Sequence, residues 1–82
     1  MRMNIEVITP GNGKTYEMML DDTLTVGAVK EKIIEQIVAF ENGNIAFDEN
    51  VAIFSPVTRT PLPDYKNLRA AGVKGGQSVY LL

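Results

Sequence analysis

One stretch limits the fold more than any other. From Val26 to Phe40 the apolar residues Val26, Val29, Ile33, Ile37 and Phe40 recur at spacings of three and four. That spacing lays them along one stripe of an α-helix. Lys30, Glu31, Lys32 and Glu35 fill much of the remaining surface and read as a solvated face. Thr25 precedes the stripe, where its hydroxyl can take an orphan N–H of the first turn. Asn42-Gly43 is a natural stop, so the helix is expected over roughly 26–41. A single apolar stripe has to be buried against something else, and the other regular elements of the chain read as strands.

The strands announce themselves by alternation. Met3, Ile5 and Val7 are separated by polar residues, the period of a half-buried strand. Pro10-Gly11-Asn12-Gly13 supplies a turn, and Tyr16, Met18 and Leu20 then alternate again, which makes a hairpin. Gly13-Lys14-Thr15 enters a strand instead of a helix, so these glycines are turn chemistry and not a phosphate-binding loop. Val51 to Phe54 is short, β-branched and aromatic, and Ser55-Pro56 ends it or places it at an edge. Thr58-Arg59-Thr60 is a possible return strand, ended by Pro61 and Pro63. Residues 45–50 fit either a loop with Ile45 and Phe47 tucked inward or a short helical turn. Leu62 and Leu68 are expected core anchors, and Ser78 to Leu82 forms the last strand, expected beside the first and parallel to it. The fold class is therefore α+β: a mixed four- to five-stranded sheet with one helix across it, in a single domain spanning residues 1–82.

Composition removes several functions. The chain has neither cysteine nor histidine, so it lacks a disulfide framework, a thiolate nucleophile, the usual general base near neutral pH and the commonest metal ligand. Its net charge is −2 and its cations are scattered, which disfavours nucleic acid. No apolar run approaches the ~20 residues of a membrane-spanning helix, and Glu6 interrupts the start where a signal peptide needs unbroken apolar chain. Asp21-Asp22, Asp48-Glu49 and Asp64 lack the alternating spacing of a calcium loop and are expected to serve turns and the helix N-terminus. No enzyme activity, cofactor or metal is expected, and a cytoplasmic location is.

In the order and spacing of these elements, the chain resembles ubiquitin and its β-grasp roll. Gly13-Lys14-Thr15 closes the hairpin as in ubiquitin, and Thr25 caps the helix at the corresponding place. Val29-Lys30-Glu31-Lys32-Ile33 is similar to the Val-Lys-x-Lys-Ile of ubiquitin. Leu62, Leu68, Val73 and Leu81 match the spacing of its apolar anchors, whereas Gln36 to Thr60 matches poorly. The ending Leu68-x4-Val73-x2-Gly76-x2-Val79-Tyr80-Leu81-Leu82 resembles the YukD/EsaB family of bacterial ubiquitin-like proteins. That resemblance implies a non-conjugated adaptor or regulator of a type VII (ESX-like) secretion system, which exports small helical WXG proteins. A ubiquitin-like modifier or sulfur carrier is the alternative, as is a binding module unrelated to secretion.

Gly75-Gly76 is the dipeptide that such modifiers expose at a mobile end, yet here it precedes the apolar strand 78–82. The expected role of the pair is a turn into that strand. Binding is then the expected activity, through residues that fall out of the inward phase. Ile8, Met19, Ile53 and Tyr80 do so, with Leu82 joining them, and together they are expected to form an apolar patch on the helix-free face. Ile53 turns inward instead if its strand register is shifted by one residue. The expected partner is a protein, which the family resemblance implies is a secretion-system component, with the chain itself a monomer or weak homodimer; nucleic acid and direct membrane insertion are not expected.

Overall fold

The computed structural model describes every residue except Met1, Glu49, Pro56 and Thr58. Strands β1 (Arg2–Thr9) and β2 (Lys14–Asp21) form an antiparallel hairpin. Helix α1 (Val26–Phe40) follows, then the short strand β3 (Ile53–Phe54) and the final strand β4 (Ser78–Leu81). The sheet order is β2-β1-β4-β3, with β4 parallel to β1 and antiparallel to β3. This is the β-grasp arrangement expected from the sequence, with four strands among the described residues.

Local chemistry explains each boundary. In the hairpin turn Gly13 takes φ 69°, a conformation open to a residue without Cβ. Thr9 Oγ1 donates to Asn12 Oδ1, and the same Asn12 oxygen accepts from Lys14 N–H at 3.0 Å. Thr25 Oγ1 accepts from Ala28 N–H at 3.2 Å and caps α1 as expected. The segment carrying Pro63 takes two further amides of the first turn: Val26 N–H donates to Lys66 O at 2.7 Å and Gly27 N–H to Asp64 O at 3.1 Å. At the other end Gly43 N–H returns to Val38 O at 2.9 Å, with Asn42 and Gly43 both at positive φ.

Val26, Val29, Ile33 and Ile37 bury their whole stripe against Ile5, Val7, Met18, Leu20, Val79 and Leu81. Leu62, Leu68 and Val73 close the core from the connecting segments, and Ile45 and Phe47 pack half-buried against it from a loop. The stripe ends one residue short of expectation. Phe40, in the last turn of α1, is 65% exposed, and its ring lies at the edge of the core, 6.2 Å from that of Tyr16 on β2.

Two further expectations change. The strand starting at Val51 begins at Ile53, since Val51 N–H is held in a turn by Asp48 O at 3.0 Å. No return strand forms from Arg59-Thr60, and Thr58 lies outside the described residues. Instead, a single bridge joins Phe54 to Pro61, with Leu62 N–H donating to Ile53 O at 2.8 Å. That contact covers the β3 edge and leaves β2 as the long free edge of the sheet.

Candidate protein-docking face

One face of the sheet carries the helix and the other does not. Side chains alternate between faces along each strand. On β1, Ile5 and Val7 point into the core, so Asn4, Glu6 and Ile8 point away from it. On β2, Met18 and Leu20 are buried and Thr15, Glu17 and Met19 are outward. On β4, Val79 and Leu81 are buried and Tyr80 is outward, with Leu82 following in the same phase at 55% exposed.

The register aligns these residues in rows across the strands. Thr15 faces Ile8, Ile8 faces Tyr80 and Tyr80 faces Phe54. At ~4.8 Å between neighbouring strands this row spans roughly 14 Å. Leu82 extends it at one corner, tied to Ala52 by N–H···O bonds of 3.0 and 2.8 Å in the two directions. Pro10, Phe54, Ser55, Arg59, Tyr80 and Leu82 line a shallow groove there. The next row along the strands is acidic: Glu17 stands opposite Glu6, and Glu6 opposite Ser78, whose Oγ donates to Glu6 Oε1 at 3.4 Å.

Of the five residues expected in the patch, Ile8, Tyr80 and Leu82 come together. Met19 is on the same face and 56% exposed, but it sits opposite Asn4, beyond the Glu6–Glu17 row, about 13 Å along the strand from the level of Ile8. Ile53 is a correction. It is 2% exposed because it pairs with Leu81, and residues directly opposite in a sheet share a face. Phe54 therefore takes the outward place, a residue that the sequence reading put in the strand but not in the patch. The signal for it lay in the alternation of Val51, Ala52, Ile53 and Phe54: two β-branched residues fall in one phase, a small and an aromatic one in the other.

The glycine pair is part of the framework. Gly76 adopts φ 84° and its N–H donates to Asn4 O at 2.8 Å, while Glu6 N–H donates to Gln77 O at 3.1 Å. The chain thus turns at Gly76 and enters the sheet directly.

Two polar clusters lie elsewhere. Lys14 Nζ reaches both carboxylate oxygens of Glu41 at 2.9 Å, and Tyr16 OH donates to Glu41 Oε1 at 2.9 Å. The Lys14 hydrogen bond, helped by the one from Tyr16, holds the Glu41 carboxyl below its ordinary range. The same bond raises the Lys14 ammonium above its own. This cluster clamps the hairpin to the end of α1. Arg69 pairs with the buried Asp22 at 2.8 Å and ties the segment before Val73 to the end of β2. Among the described residues no group of His, Cys, Asp and Glu side chains is placed to hold a metal ion, and no helix is long and apolar enough to cross a membrane.

No protein-family model matches the chain, and no curated protein matches its sequence. Solved structures match closely in shape. The EccD5 ubiquitin-like domain from Mycobacterium xenopi superposes with a TM-score of 0.81 at 14% identity, covering 100% of this chain and 93% of that one. The ubiquitin of Caldiarchaeum subterraneum gives 0.72 at 23% identity, covering 99% and 91%. A chain of the MycP5-free ESX-5 inner membrane complex gives 0.80 at 17% identity, covering 99% of this chain and 20% of that one. The fold is that of ubiquitin: a β-grasp sheet of mixed strands with one helix packed across it.

Proposed function

We propose that this chain is a non-conjugated ubiquitin-like adaptor of a type VII (ESX-like) secretion system, of the YukD/EsaB kind. It works in the cytoplasm, carries no reaction of its own, and binds a protein component of the apparatus through the row Ile8–Tyr80–Phe54 with Leu82. The observation that carries this reading is the placement of residues 78–82 in the sheet. Val79 and Leu81 are buried in the core while Tyr80 and Leu82 stay on the opposite face. The stretch that follows Gly75-Gly76 is a sheet strand and not a slender, mobile segment, which supports a binding role over conjugation through that glycine pair. The close superposition on the EccD5 domain and on part of an ESX-5 complex supports the secretion setting.

The test is Tyr80→Asp in cells that export small helical substrates through this system. Tyr80 is on the outer face, so the variant should fold and reach the wild-type cellular level while export falls. Unchanged export by a folded Tyr80→Asp protein overturns the docking face. An intact-mass shift of the wild-type chain after incubation with ATP and cell extract would instead favour a modifier.

A further inference from the structure

The outer face contains a local arrangement that disfavours the isolated fold. Glu6 and Glu17 are directly opposed on neighbouring antiparallel strands, both on the helix-free side. Side chains so placed have Cβ atoms about 5 Å apart, and like charges there destabilise a sheet. Among the described residues neither carboxylate has an ion-pair partner, and Glu6 receives only the long bond from Ser78. The cations that do pair are committed elsewhere: Lys14 to Glu41, Lys30 to Asp64 and Arg69 to Asp22. Sequences that specify a fold keep such conflicts few, and conflicts gather where function requires them.

The position of the pair gives it a use. Glu6 is two residues from Ile8 on β1, about 7 Å along the strand. The carboxylates therefore border the apolar row on one side, next to the point where Ile8 meets Tyr80. We infer that this face takes a basic amphipathic segment of a partner protein. Its apolar side chain rests on Ile8, Tyr80 and Phe54, and a Lys or Arg about 7 Å away inserts between Glu6 and Glu17. Residues i and i+2 of an extended segment meet that spacing, as do i and i+3 or i+4 of a helix. An acidic segment or an anionic lipid surface meets repulsion at the same row. This inference rests on the docking-face reading and adds the charge of the partner to it.

The test uses the full chain, isotopically labelled, titrated with two helical peptides. They share one leucine stripe, flanked by lysine in the first and by glutamate in the second. The lysine peptide should shift the amides of Glu6, Ile8, Glu17 and Tyr80, and bind about three- to tenfold more tightly than the glutamate peptide at low salt. That preference should shrink as salt is added. In a Glu6→Gln, Glu17→Gln double variant it should disappear, while thermal stability stays equal or rises because the repulsion is gone. Equal binding of the two peptides to the wild-type chain, or a preference that survives in the double variant, overturns the inference. Tyr80→Asp separates the two layers. If it abolishes binding of both peptides and no charge preference exists, the docking face stands and its basic partner falls. If neither peptide shifts the outer face, both fall.

Discussion

Leu81 and Leu82 are chemically identical neighbours placed on opposite sides of the sheet, and they make a sharp comparison. Leu81 is 3% exposed, pairs with Ile53 and belongs to the core. Truncating a leucine in such a place removes its transfer free energy and leaves a cavity, which together cost about 2–5 kcal/mol. A domain of this size has a total stability of roughly 4–12 kcal/mol, at about 0.05–0.15 kcal/mol per residue. Leu81→Ala should therefore remove a large fraction of it and lower the melting temperature by at least ~8 °C. Leu82 is 55% exposed, and Leu82→Ala should cost about 1 kcal/mol or less. Urea unfolding followed by far-ultraviolet circular dichroism measures both, with an unchanged slope marking a stability effect alone. If the two substitutions cost the same, the register that buries Leu81 and exposes Leu82 is wrong, and the docking face goes with it.

Other outcomes follow from the same contacts. Thr25→Ala removes the acceptor for Ala28 N–H and should cost about 1 kcal/mol in the same denaturation assay. Glu41 has its folded-state pKa lowered by Lys14, so it contributes stability that is present above the ordinary glutamate value of 4.5 and lost as pH falls through the folded value below it. Glu41→Gln should accordingly melt earlier than the wild type near neutral pH, and the gap should narrow on acidification below that point. Glu17→Lys places a cation opposite Glu6 and should raise the melting temperature of the free chain, since repulsion becomes attraction.

Much of this fold could be read from periodicity. The hairpin and the helix with its Thr25 cap and Asn42-Gly43 stop follow from local patterns, because alternation and the three-four spacing directly report which side of an element is buried, and the last strand beside the first follows from the need of a sheet with one covering helix to place it. The candidate docking face was only half legible. Ile8 follows the alternating run Met3–Val7, which fixes its phase, and Tyr80 stands between Val79 and Leu81, both buried. Ile53 and Phe54 form a strand of two residues, so the short alternation from Val51 to Phe54 gave only a weak signal, and the pairing with β4 decides which of them turns inward. Met19 has the right phase but the wrong row, a matter of register that no single strand reveals. Phe40 continued the helical stripe angularly, yet it lies at the last turn beside Tyr16 and stays exposed, which is a property of packing and not of sequence spacing.

Both the buried core and the outer apolar row require β4 to be built into the sheet, and two amides outside that strand report on it. Glu6 N–H donates to Gln77 O and Ala52 N–H to Leu82 O. Native-state hydrogen exchange should find both amides slowed by orders of magnitude, opening with or close to global unfolding like those of α1. Exchange at Glu6 and Ala52 at the rate of an unstructured peptide, in a chain whose helix remains protected, would show residues 77–82 detached from the sheet and would contradict the account.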